Sequence, residues 1–208
     1  MKGMFKTVLK IILIMLLMRA LQLPSPAYAR KGSSEGLEAF LLNNSSFGGA
    51  EITQLVNMIE AAAGKGIPER MLSNKIREGV ARGVSYEAME TVLGAHIETL
   101  HKASELIKIL RLERSPKGVK EHYLQVLAEL LTSGMPYELP GRIKQWSEGY
   151  LKGADILRLC THVMGLVNRG VPYMYANEAV ILLVKNKTAP DTMEKISELL
   201  IEGARARK

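Results

Sequence analysis

A disulfide needs two cysteines, and this chain has one, Cys160. Its stability must therefore come from packing rather than from covalent staples. Cys160 falls in phase with Ile156, Leu157, Val163, Met164 and Val167 at helical spacing, which marks it as a core residue rather than a reactive thiol. Metal-ligand spacing is missing as well. His96 and His101 lie five apart, His122 has no histidine neighbour, and a single residue separates Cys160 from His162, so no pair shares a helix face as i, i+4 ligands do. No Ser or Cys stands in a strand-to-helix elbow, and no glycine-rich loop follows a strand to hold phosphate. These absences point to a protein without metal or cofactor and without a catalytic centre.

Long apolar runs are also lacking. The longest near the start, Ile11 to Met18, is shorter than the roughly 20 residues a spanning helix needs, and Arg19 ends it. Lys2, Lys6 and Lys10 precede the run, and a polar, proline-containing stretch follows, ending in Ala27-Tyr28-Ala29. A basic start, a short apolar core and small residues at Ala27 and Ala29 form the pattern of a cleavable secretory signal over residues 1–29. The alternative is an uncleaved anchor, in which Arg19 must snorkel out of the lipid. No cysteine near the cleavage region could take a lipid, and no Arg-Arg pair suggests the twin-arginine route. The expected location is therefore the periplasm or the outside of the cell, with membrane contact only through the amino-terminal segment.

Charge of one sign is scarce once that segment is set aside. The whole chain carries 28 basic and 21 acidic residues. Four of the basic residues lie in 1–29 with no acid beside them, which leaves 24 against 21, a net +3 rather than +7. That balance does not mark a nucleic-acid binder. The terminal Arg205, Arg207 and Lys208 fit a solvated helix end.

What is present is helical periodicity, punctuated by glycine and proline. Residues 30–49 are rich in Gly, Ser and Asn around one apolar piece, Leu37 to Leu42, and are expected to form a mobile leader with about two helical turns. From residue 50 to 208 a single helical domain is expected. Ile52, Leu55, Val56, Ile59, Ala62 and Ala63 share one helix face, and Leu72, Ile76, Gly79, Val80 and Gly83 another. A longer helix from Tyr86 to Leu110 carries one apolar stripe from Met89 through His96 to Leu110. Further helices are expected around Tyr123–Leu131, Leu139–Tyr150, Ile156–Val167, Met174–Val184 and Met193–Ala204. The unbroken run Ala179–Val184 could be a strand by itself, but its neighbours at helical spacing favour a buried helix.

The breaks repeat. Gly66-Ile67-Pro68, Gly134-Met135-Pro136 and Gly170-Val171-Pro172 share one wording, and Gly83-Val84-Ser85 is a near relative. Glycine takes the left-handed conformation that ends one helix, the apolar residue covers the core, and Pro or Ser starts the next helix. Gly153-Ala154-Asp155 is expected to be a further turn, and Thr188 with Asp191 a capping box. The phrase Glu78-Gly79-Val80-Ala81-Arg82-Gly83 returns as Glu148-Gly149-Tyr150-Leu151-Lys152-Gly153, with an echo at Glu202-Gly203. A glycine kept inside a helix, at about 1 kcal/mol relative to Ala, implies close helix approach. Glu78 and Glu148 are expected to find a basic partner, Arg82 or Lys152, or a backbone donor. The expected architecture is all-α: a superhelical, repeat-like stack of short antiparallel helix pairs with one longer helix near the middle.

Aromatic residues are few, 5% of the chain, but unevenly placed. Tyr123, Tyr137, Tyr150, Tyr173 and Tyr175 lie in the second half with the single tryptophan, Trp146. Trp146 and Tyr150 are expected to share a helix face with Arg142 one turn earlier, and Tyr173 and Tyr175 to open a nearby helix. Aromatics with polar tips suit a groove for a peptide or glycan, and also ordinary boundary packing. The favoured function is a non-catalytic exported module that binds another protein or a peptide, a scaffolding part of the cell envelope. The alternatives are a cell-wall protein with Glu78 or Glu148 as general acid, and a membrane-tethered helical protein.

Overall fold

The computed structural model describes residues 34–188, together with Thr192 and Lys195. Among the described residues there are eight α-helices and no strand: α1 (Ser34–Asn44), α2 (Gly49–Gly64), α3 (Glu69–Ala81), α4 (Tyr86–Ile109), α5 (Lys117–Thr132), α6 (Leu139–Trp146), α7 (Gly153–Asn168) and α8 (Tyr173–Lys185). The protein is all-α, with helices packed on their neighbours in sequence. The run Ala179–Val184 belongs to α8. The signal residues Ala27 and Ala29, Asp191 of the expected capping box, Gly203 and most of the helix expected at Met193–Ala204 lie outside the described residues.

The described residues divide into two compact units on either side of the Gly94–Ala95 boundary. In the first, α1, α2 and α3 pack on one another pairwise. In the second, α6, α7 and α8 do the same, and α5 packs on α7. Leu37, Leu41, Leu55, Ile59, Leu72 and Ile76 are wholly buried in the first unit; Leu106, Leu127, Ile143, Cys160, Val163 and Val184 are in the second. Burial of one such aliphatic side chain contributes roughly 1.5–3 kcal/mol.

The expected mobile leader contains a packed helix. The three turns of α1 place Leu37 and Leu41 four apart, on the face that meets α2 and α3. Two buried leucines anchor a segment whose Gly, Ser and Asn content reads as loop. Arg77 on α3 adds to the contact, its guanidinium 5.1 Å from the centre of the Phe40 ring.

One device ends six of the eight helices. Gly66, Gly83, Gly134 and Gly170 have φ of 86°, 68°, 92° and 92°. After each, the apolar residue donates its N–H back to the carbonyl five residues earlier: Ile67 to Ala62 at 3.2 Å, Val84 to Gly79 at 3.0 Å, Met135 to Leu130 at 2.9 Å and Val171 to Leu166 at 3.1 Å. This is the Schellman arrangement, which satisfies carbonyls that the helix end leaves free. Two further helices close identically without glycine. At the end of α4, Arg111 takes φ 57° and Leu112 bonds Ile107 at 2.9 Å; after α8, Lys187 takes φ 51° and Thr188 bonds Leu183 at 3.0 Å.

The helix that follows starts at once where proline allows it. Pro68, Pro116 and Pro172 stand immediately before α3, α5 and α8. After Pro136 the next helix waits until Leu139, because Pro140 has no N–H to donate and fits only the first turn. That second proline delays the start of α6, which has 8 residues where α3 and α8 have 13.

A longer repeat underlies the turns. α2 and α7 each have 16 residues and start 104 positions apart, at Gly49 and Gly153; α3 and α8 each have 13 and start 104 apart, at Glu69 and Tyr173. The same step joins Gly66 to Gly170, Pro68 to Pro172 and Gly83 to Lys187. The buried Ile52, Leu55, Ile59 and Ala62 of α2 correspond to the buried Ile156, Leu159, Val163 and Leu166 of α7. At both starts an acid three residues on accepts the backbone N–H before the helix: Glu51 from Gly48 at 2.6 Å, and Asp155 from Lys152 at 3.2 Å. Gly153 therefore begins a helix rather than making a turn.

Candidate functional site

The expected site residues are drawn from α6, α8 and the segment after α6, all in the second unit. Arg142 and Trp146 lie one turn apart on α6, and the guanidinium sits 4.9 Å from the centre of the indole ring, a cation–π contact. Tyr173, the first residue of α8, lies close enough to feel the Arg142 charge. Burial pushes its hydroxyl up from the usual tyrosine value, and the Arg142 cation opposes that shift. Arg142 is exposed, while Trp146 and Tyr173 are half-buried. The stacked pair and Tyr173 are the expected site residues that lie near one another, with Arg142 supplying the exposed cation.

Tyr150 does not join them as a helix neighbour of Trp146. α6 ends at Trp146, because Glu148 and Gly149 both turn left-handed, with φ of 49° and 85°. Beyond that corner the Tyr150 hydroxyl donates to the Val184 carbonyl at 2.9 Å and so caps the last turn of α8. Burial again raises its ionisation above the usual value. Tyr150 is thus a structural clamp. Tyr175 departs differently: it stands two residues from Tyr173, about 200° around the helix, and is 62% exposed.

The two copies of the glutamate-glycine phrase do different work. Gly79 lies inside α3, buried against the Met89 side chain, so a Cβ there would meet the methionine methyl. Gly149 lies in no helix; it is the corner itself, with open space where a Cβ would stand. Gly83 supplies a left-handed turn, while Gly153 faces the Leu110 carbonyl so closely that a Cβ would overlap it. Glu78 pairs with Lys75, one turn earlier, at 3.9 Å instead of with Arg82. Glu148 sits exposed on the corner.

Several other polar groups hold helices together. Burial pushes the Cys160 thiol up to about 12, so it stays protonated and inert. Tyr137 donates to Glu105 at 2.9 Å, and the Lys144 ammonium bonds the Ile109 carbonyl at the end of α4. Ser73 on α3 and Asn177 on α8, one 104-residue step apart, each bury an oxygen without a hydrogen bond. Among the described residues no group of three or more His, Cys, Asp and Glu could hold a metal ion. None of the helices there is long and apolar enough to cross a membrane.

Sequence reasoning named Tyr175 but not the surface around it. Met174, Tyr175 and Leu182 on α8 are 62%, 62% and 61% exposed, on a helix whose other side buries Ala176, Val180 and Val184. The unbroken run Ala179–Val184 reads as core, and this helix is covered on one side only. The signal lay in the 104-residue step, which sets Arg70 against Met174 and Glu78 against Leu182. Comparison with protein-family models, with curated proteins and with solved structures finds no match for this chain.

Proposed function

We propose that the chain is an exported, non-catalytic helical module that binds another protein or a peptide segment at the cell envelope. The observation that carries this reading is the cluster of Arg142, Trp146 and Tyr173, with its stacked guanidinium and indole and its exposed cation. Trp, Tyr and Arg are the residues on which binding energy concentrates, because they offer large apolar area at small entropy loss together with a polar handle. Export rests on the amino-terminal pattern that ends at Ala29, and mass spectrometry distinguishes a start at Arg30 from a retained Met1.

The test is crosslinking capture from envelope extract, followed by titration of the purified captured protein. Arg142→Ala and Trp146→Ala are expected to weaken binding at least about tenfold, the loss typical of a hot-spot residue. Equal titration by the wild type and both variants would remove the cluster from the function.

A further inference from the structure

The outer side of α8 carries Met174, Glu178, Leu182 and Lys185 at positions i, i+4, i+8 and i+11, with Tyr175 beside them; all are exposed. The corresponding residues on α3 are Arg70, Asn74, Glu78, Ala81 and Met71. Glu78 is half-buried and held by Lys75, and the polar Arg70 and Asn74 face solvent. The two helices are equal in length and hold the same place in the 104-residue step, yet their outer sides differ in character. Single exposed apolar side chains are ordinary, as Leu42 is on α1. Three on one stripe, two of them replacing charged residues of the sister helix, do nothing for the packing of their own unit.

The surrounding charge says what fits there. Exposed Arg169 stands at the entry to α8, exposed Lys185 and Lys187 at its exit, and Glu178 at the middle. Residues 138–188 hold seven basic and four acidic residues, a net +3; residues 34–84 hold five and six, a net −1. An apolar stripe with cations at both ends complements an amphipathic helix that is acidic at both ends. A bilayer suits the stripe poorly, since Glu178 would enter the apolar layer. A second copy suits it poorly too, since antiparallel pairing sets the Arg169 end against the Lys185 end, like charge on like.

We propose that the outer face of α8 docks an amphipathic helix of a partner protein, apolar along one stripe and acidic at both ends. The proposal rests on the protein-binding reading above but uses a different surface from the Arg142 and Trp146 cluster. At about 1.5 Å per residue the 13 residues of α8 present some 20 Å, which matches three to four turns of partner.

The probe is a synthetic helix-forming peptide of that length, with a leucine stripe and glutamates at both ends. Its binding to the signal-free protein is followed by fluorescence anisotropy, beside a lysine-for-glutamate peptide and anionic vesicles. The glutamate peptide binds, the lysine peptide and the vesicles do not, and raising salt weakens the complex. Met174→Asp and Leu182→Asp each lower affinity at least about tenfold, while the control Glu78→Leu changes nothing. Lys185→Glu moves preference toward the lysine peptide. Because the substituted residues are exposed, circular dichroism of each variant stays that of the parent. Equal binding of both peptides, binding of vesicles instead, or no effect at Met174 and Leu182 overturns the proposal. Should Trp146→Ala abolish peptide binding while Leu182→Asp does not, the α8 surface falls and the protein-binding reading survives.

Discussion

The region α1–α3 and the region α6–α8 share a pairwise packing scheme, and their second and third helices match in length, yet equivalent residues do unlike work. Gly49 and Gly153 both open a 16-residue helix. Around Gly49 a Cβ would meet nothing, whereas at Gly153 it would strike the Leu110 carbonyl. Where the first region has the exposed Arg70 and the half-buried Glu78, the second shows Met174 and Leu182 to solvent. The difference teaches that turn chemistry and buried periodicity specify the plan, while the outward residues, free of packing, are where two such regions diverge.

The largest expected effect breaks the comparison at the helix starts. Gly153→Ala should destabilise by about 1–3 kcal/mol, because a backbone carbonyl cannot swing aside as a side chain does. Gly49→Ala should stabilise by about 0.4–1 kcal/mol by restricting the unfolded chain. Denaturant midpoints of the two variants check the opposite signs.

Next come the helix ends. Gly66→Ala and Gly170→Ala should each lose about 1–2 kcal/mol, the penalty for a Cβ in the left-handed region. Lys187 already bears that penalty in the second region, so Lys187→Gly should raise stability by up to about 1 kcal/mol. Thermal midpoints that move alike for Gly170→Ala and Lys187→Gly would contradict the shared turn.

These turns also show how far the fold could be read from the amino acids. Glycine and proline mark four Schellman ends and the starts of α3 and α8, because their backbone demands are local. Arg111 and Lys187 occupy the same conformation unmarked, since their strain is offset by the packing of Leu112 and by the bond from Thr188 to Leu183. The helical turns of α1 were legible around Leu37 to Leu42, but its packing was not, because Leu37 and Leu41 gain their value only against α2 and α3. In the candidate site, the pairing of Arg142 with Trp146 follows from helical spacing. The clamp from Tyr150 to Val184 spans 34 residues of sequence and could be seen only in the fold.

Tyr150→Phe tests that clamp. Removing the hydroxyl takes one donor from the Val184 carbonyl, which keeps the Lys187 N–H at 3.0 Å, and should lose about 0.5–1.5 kcal/mol, read as a drop in the denaturant midpoint. The first region has no counterpart tyrosine, since the residue 104 positions earlier is Ser46.

The smallest effect at neutral pH grows in alkali. Burial raises the ionisation of Tyr137, Tyr150 and Tyr173 above 10.0, and that of Cys160 from 9.0 to about 12, all in the second unit. Below the unfolded values every group is protonated in both states and its contribution is complete. As pH rises the unfolded chain releases these protons first, so stability falls from about pH 9 toward pH 12. Hydrogen exchange should show α7 and α8 loosening in that window before α2 and α3, and Cys160→Val should flatten the decline.

The most direct test of the account is methionine oxidation of the signal-free protein by dilute peroxide, followed by peptide mapping. An α8 that displays its outer face predicts fast oxidation of Met174 and slow oxidation of the buried Met89, Met135 and Met164. Oxidation of Met174 as slow as that of Met164 would mean the face is already covered, and the contrast between the two regions would lose its functional meaning.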